Sequence, residues 1–322
     1  HLTEFFGPVL GVMRFTSLAE AIELVNATGY GLTSGLESLD DREQQQWQAG
    51  IRAGNLYINR PTTGAIVLRQ PFGGMGKSSF GPGMKAGGPN YVAQFMRFED
   101  RASAYEFADE ADIANEHLAD LHRRLRLVDI GASAAEIDRL LAALASYDHA
   151  MRVEFGRAHD HFRLPGEDNF RRYLPIRHVR VRVHPDDSFF EVFARAAAAC
   201  AAGCRVTVSA PPEAHLASVR ALDELTDSWA ARIEFVEESN DELAAAIRDA
   251  RTERVRFAAP ARVPRELRAV AAEHGVHLAG TPVLGEGRIE LLWYLREQSL
   301  SHAYHRYGNL GARAGERRAE PL

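Results

Sequence analysis

The chain has 322 residues, 46% of them hydrophobic and 25% charged, with a net charge of −6 and a pI near 6.1. That is enough for two domains of ordinary size, and the interspersed, slightly acidic charge excludes the basic face of a general nucleic-acid binder. No apolar run is long enough to span a membrane and no signal peptide opens the sequence, while two cysteines, Cys200 and Cys204, make no disulfide framework and fit a reducing cytoplasm.

The first residue is His1, and it leads into an apolar run, residues 9–15, with the pattern of a strand interior. The sequence therefore reads as cut from a longer polypeptide. Ser17 followed by Glu20 has capping-box spacing for a helix whose apolar face is Leu18, Ala21, Ile22 and Val25. Residues 31–38 read as a strand, Asp40 caps a polar helix over 41–49, and a strand follows at 55–59. Residues 54–89 then hold two glycine-rich loops separated by the extended run 65–68. Glycine reaches positive φ and lets a main chain approach a ligand closely. On glycine content alone, a surface loop explains the stretch equally well. Residues 91–98 form another strand candidate.

After Asp100 the composition turns helical, over residues 104–126 and 133–150. Residues 156–172 are polar. Their His159 and His161 read as solvent-facing linker histidines, because no partner set for a metal accompanies them. A regular α/β pattern follows: strands at 178–184, 205–209, 232–237, 254–258 and 276–279 alternate with helices at 189–202, 213–230, 241–250 and 264–274. Such βαβ units predict a mainly parallel, doubly wound, Rossmann-like sheet. Its first strand-to-helix turn, residues 184–188, lacks a G-x-G-x-x-G motif and carries Asp186 and Asp187, so no dinucleotide site is expected there. Cys200 and Cys204, at a helix end and the next strand start, read as packing rather than chemistry. Near the end, residues 291–295 read as a strand and the remainder as a loop-like tail. Tyr304, Tyr307 and Leu310 make that tail sticky enough to dock on another surface.

The opening and the glycine-rich loops together resemble the C-terminal portion of an aldehyde dehydrogenase catalytic domain. Residues 4–9, EFFGPV, look like that superfamily's E-x-F-G-P-V motif, and residues 71–74 lie in the similar run QPFGG. The resemblance implies that Glu4 holds the ribose hydroxyls of a bound NAD and that Phe6 packs near the nicotinamide. The finer likeness is to L-glutamate γ-semialdehyde (Δ1-pyrroline-5-carboxylate) dehydrogenases, in particular that module of the bifunctional proline utilisation A family. There TTGAIV looks like the substrate-anchoring loop, which implies that the backbone N–H groups of Gly64 and Ala65 bind the substrate's α-carboxylate. Phe72 matches the residue walling the aliphatic part of the substrate. KAGGP, residues 85–89, is also typical of this branch, whereas KSSFGPGM stands where other members have a shorter loop. Residues from about 173 resemble the noncatalytic aldehyde-dehydrogenase-like C-terminal domain of the longer family members. The tail YHRYGNLGARAGE resembles their channel-sealing motif.

The expected architecture is thus α/β in four parts. Residues 1–98 form the C-terminal part of an aldehyde dehydrogenase catalytic domain, 99–172 a helical connection, 173–290 the Rossmann-like noncatalytic domain, and 291–322 a strand and docking tail. The expected function is a share in NAD-dependent oxidation of L-glutamate γ-semialdehyde to glutamate. The nucleophilic cysteine of the family lies upstream of E-x-F-G-P-V, and no cysteine precedes Cys200, so the chain alone is expected to be inactive. No catalytic residue and no metal site is assigned to it. Its partners are the semialdehyde and the upstream remainder of the same polypeptide, and a homo-oligomer stays open. FAD would belong only to a separate proline dehydrogenase module. A noncatalytic scaffold or channel lid, and an aldehyde dehydrogenase of other substrate, are the alternative readings.

Overall fold

The computed structural model describes residues 2–3, 5–79, 81–100, 113–212 and 214–320. The chain divides into two compact units, each assembled from separated segments. The first comprises His1–Val92, Ala158–Tyr173 and Glu297–Leu322, and the second Ala93–Arg157 and Leu174–Arg296. In chain order the elements begin with α1 (Leu18–Asn26), β1 (Tyr30–Gly31), β2 (Thr33–Leu36), α2 (Asp41–Gly50), β3 (Asn55–Ile58) and β4 (Met75–Gly76). Helices α3 (Glu116–Leu125) and α4 (Ala134–Ala150) and strands β5 (Glu167–Pro175) and β6 (His178–Arg182) come next. The alternation continues as α5 (Phe189–Ala201), β7 (Arg205–Ala210), α6 (Ala217–Leu225), β8 (Ile233–Glu237), α7 (Asn240–Arg248), β9 (Arg254–Arg256), α8 (Arg265–His274) and β10 (His277–Ala279). The short α9 (Gly287–Glu290) and the strand β11 (Leu295–Ala303) close the series. No helix among the described residues is long and apolar enough to cross a membrane.

In the second unit the sheet order is β10-β9-β6-β7-β8, every neighbouring pair parallel. The first strand lies in the middle and the order reverses beside it, which is the doubly wound arrangement the α/β alternation predicts. The strands β6 and β7 are almost wholly buried, as parallel strands covered on both faces must be. Local chemistry sets the boundaries. Ser188 and Ser239 cap α5 and α7 in full capping boxes with Glu191 and Glu242. Gly275 ends α8 in the left-handed conformation that glycine adopts without strain.

In the first unit a four-stranded sheet has the order β2-β3-β11-β5. β3 is flanked by two parallel neighbours, β2 and β11, with Asn55 opposite both Thr33 and Ser299. Ser17 and Asp40 cap α1 and α2 as expected, and these helices close a core of Ile22, Trp47, Ile51, Leu56, Ile58 and Leu300.

Several expected elements come out differently. Residues 9–15 form no strand: Leu10 is 87% exposed, and the main chain has only the local Val9 N–H to Gly7 carbonyl bond among the described residues. Residues 91–98 give a 3-10 turn, Tyr91–Phe95, closed locally, in which Tyr91 N–H reaches the Gly88 carbonyl. The polar stretch at 156–172 contains the start of β5, with His159 and Arg171 paired through their backbones. Residues 291–293 are a 3-10 turn, and the strand continues into the supposed tail as β11. The first half of the helix expected at 104–126 lies outside the described residues.

Candidate functional site

The glycine-rich loops stand over β3 and β11 of the first unit, and the geometry is built outward from the strands. At the start of β3, Asn55 uses both ends of its amide: Nδ2 donates to the Pro71 carbonyl (3.1 Å), and Oδ1 accepts from Gly73 N–H (3.1 Å). Beside it Ser299 Oγ donates to the same Pro71 carbonyl (2.6 Å), and Gln298 Nε2 donates to the Ala53 carbonyl (2.8 Å). Buried polar side chains are therefore spent on holding loop backbone that has no strand partner of its own.

The turn that directly follows Gly64 and Ala65, residues 66–70, is closed by Gln70. Its Oε1 accepts from Ile66 N–H (3.0 Å), and its own N–H donates to the Ile66 carbonyl (2.8 Å). The buried far end of Gln70 donates to Asn169 Oδ1 (2.5 Å) and Ser301 Oγ (3.3 Å), and Ser301 Oγ donates to Asn169 Oδ1 (2.8 Å). Outside this layer Glu167 pairs with Arg69 (2.5 Å) and Arg60 (3.5 Å). Burial raises the Glu167 carboxyl, but hydrogen bonds from Asn169 and Arg69 and the charges of Arg69 and Arg60 outweigh it and hold the group below its ordinary range.

Gly64 sits at φ +80°, with nothing near the position a Cβ would take. Gly64 and Ala65 are exposed, and their N–H groups donate to no protein group among the described residues. Successive main-chain N–H groups without protein partners are able to bind an anion. Phe72 stands 38% exposed and pairs through both backbone bonds with Ala86 (2.8 and 3.0 Å). The 66–70 turn and the Phe72–Ala86 bridge thus fix the main chain between Ala65 and Phe72. Phe6 is 96% exposed, and no hydrogen bond among the described residues ties residues 5–15 to that segment. Glu4 lies outside the described residues. The supporting side chains Asn55, Gln70, Asn169, Glu297, Ser299 and Ser301 carried no sequence signal, since four of the six come from segments far along the chain.

In the second unit, the groups at the turn after β6 are engaged with one another. The first turn of α5 is occupied by its own Ser188–Glu191 capping box, and the buried Asp187 is paired with Arg195 and Arg262. Cys200 and Cys204 are free and buried, and burial pushes both thiols up to about 12. Among the described residues no three His, Cys, Asp or Glu side chains are grouped as a metal site.

The model of the aldehyde dehydrogenase family matches residues 1–101. Over 95 residues the chain is 50% identical to the bifunctional protein PutA of Salmonella typhimurium, which covers 29% of this chain and 7% of that protein. It is 44% identical over 94 residues to 1-pyrroline-5-carboxylate dehydrogenase of Bacillus pumilus, covering 29% of this chain and 18% of the other. The structure of proline utilization A from Corynebacterium freiburgense superposes with a TM-score of 0.67 and 33% identity over 95% of this chain and 26% of that one. The likeness to that protein therefore extends well past the family segment into the parallel-sheet unit. The chain spans only 7% to 26% of the length of these proteins of the proline utilization type.

Proposed function

We propose that this chain is the C-terminal part of an NAD-dependent L-glutamate γ-semialdehyde dehydrogenase. In this reading its glycine-rich turn holds the amino-acid end of the substrate. The observation that carries the reading is the pair of uncommitted amides at Gly64 and Ala65, directly ahead of the turn that Gln70 locks. A carboxylate accepting two backbone N–H groups is well held, and charge-assisted bonds of this kind are stronger than neutral ones. Phe72 covers the aliphatic carbons, leaving the aldehyde free to react. The chemistry that NAD would supply, when bound, is that of a hydride acceptor. Glu4 would hold its ribose hydroxyls, and the fully exposed ring of Phe6 is free to face the nicotinamide.

The nucleophile belongs, in this reading, to the rest of a longer polypeptide. Both thiols of this chain are buried and pushed far above neutral pH, so neither supplies a thiolate. The exposed apolar run around Leu10 and Val12 would pack against that remainder.

The test uses the longer polypeptide, following NADH formation from the semialdehyde. Ala65→Pro removes one amide donor and is expected to raise KM for the semialdehyde at least about tenfold, leaving KM for NAD unchanged. Equal damage to both constants overturns the anchor. The 322-residue chain alone is expected to oxidise no semialdehyde.

A second role rests on the tail. Arg313 makes a two-pronged ion pair with Asp168 (2.7 and 3.0 Å) and lies 3.7 Å above the Tyr304 ring, and Arg318 joins the same carboxylate. A tail pinned this firmly suits a lid on a channel between two active sites. Deleting residues 304–322 from the longer enzyme should produce a lag in coupled proline-to-glutamate turnover while each half-reaction stays normal. Loss of the semialdehyde step alone would count against the lid.

A further inference from the structure

Lys85 is fully buried, in a loop whose neighbours are exposed or half-exposed. Its ammonium donates to the Gly73 carbonyl and lies 3.3 Å from Asn55 Oδ1. Its backbone N–H donates to Glu297 Oε2 (3.1 Å), and the other oxygen of that buried carboxylate accepts from Asn90 Nδ2 (2.6 Å). Directly after Lys85, Ala86 pairs with Phe72, and Gly87 accepts from Leu68 N–H (2.9 Å). Residues 85–87 therefore brace the segment 68–73, which starts three residues after Ala65 and ends just past Phe72.

A lysine buried this deeply is costly unless its donors are used. An apolar residue would fill the same volume without that cost, so the amine is retained for the bonds it makes. Burial pushes it down to about 7, with Glu297 pulling the other way, and in either protonation state the nitrogen keeps an N–H for the Gly73 carbonyl.

We infer that Lys85, anchored through its backbone by Glu297, is a positioning residue that sets the Gly73 carbonyl and, through the Phe72–Ala86 bridge, the spacing between the Phe72 wall and the Gly64–Ala65 amides. It thereby fixes the length of amino-acid substrate the site accepts. The inference rests on the anchor reading above. Its effect falls on substrate selection rather than on the hydride step, because Lys85 bonds the Gly73 backbone and the Asn55 amide that supports it, neither of which is a reacting group.

The longer enzyme serves for the test, with the semialdehyde compared against propionaldehyde, which has no carboxylate to anchor. Lys85→Met keeps the stem and removes the donor. It should raise KM for the semialdehyde about tenfold or more, with kcat within about twofold and propionaldehyde kinetics unchanged. Lys85→Arg keeps a donor and should recover part of the loss. Where Lys85→Met fails to fold, Lys85→Arg decides alone, because a longer fork displaces Gly73 and should lower the semialdehyde-to-propionaldehyde ratio of kcat/KM. An unchanged ratio in the folded variants, or equal losses on both aldehydes, overturns the inference. If Ala65→Pro also leaves the semialdehyde KM unmoved, the anchor reading itself has failed. If Ala65→Pro acts as expected and the Lys85 variants do not, only the role of Lys85 falls.

Discussion

Gln70 ties a loop to a strand through one side chain, and no pattern in the sequence marks it out. Its oxygen holds Ile66 N–H and its nitrogen holds Asn169 and Ser301, so truncation removes the buried link between loop and strand and takes the partner from Ile66 N–H. Gln70→Ala is expected to destabilise the first unit by about 1–3 kcal/mol, read as a lower urea midpoint. It should also speed hydrogen exchange at Ile66, and an unchanged exchange rate there would show that the turn is held by other means. The cysteines were legible in sequence, because a helix end and a strand start are packing positions, and burial confirms them as such. With both thiols pushed up to about 12, neither is expected to react with a disulfide reagent at pH 8 in the native chain, and both should react in denaturant. Fast labelling of the native protein would contradict that.

At the scale of elements, legibility follows hydrophobic pattern. The strand β6 announces itself by alternation and sits between parallel neighbours where expected. The strand β11 does not, because Glu297, Gln298, Ser299 and Ser301 are buried by hydrogen bonding to loop backbone and side chains rather than by apolar contact. Residues 9–15 show the converse: an apolar pattern with no neighbouring strand among the described residues. The edge strand β10 carries a pH dependence that sequence could not show. His277 stands beside Arg254 in register, and burial, then the charges of Arg254 and Arg256, push its imidazole down to about 3 from an ordinary 6.5. The unfolded chain takes up a proton near 6.5 that the folded chain refuses until about 3, so stability is full above the first value and falls toward the second. At pH 5 the loss is about 2 kcal/mol. The urea midpoint of the second unit should therefore drop between pH 7 and pH 5, and His277→Gln should flatten that drop. Identical pH dependence in the variant would remove His277 as its source.

At the scale of the whole molecule, the parallel-sheet unit was readable because its strands and helices follow one another without interruption from His178 to Ala279. The first unit was only partly readable, since its sheet is completed by strands from segments 158–173 and 297–322. That difference makes an expectation about truncation. Ending the chain after Arg296 removes β11, so β3 loses a parallel neighbour, and Pro71 and Gln70 lose Ser299 and Ser301. The first unit should then become protease-sensitive while the second keeps a resistant core. Ending it after Ala303 keeps β11 but removes Arg313 and Arg318 from Asp168. Cleavage should then concentrate within 158–168 and spare β3 and the 64–73 loop. Limited proteolysis with mass mapping separates the two truncations. If both expose the 64–73 loop equally, the tail pins rather than β11 close this unit, and the strand's polar bonds to the loop count for little.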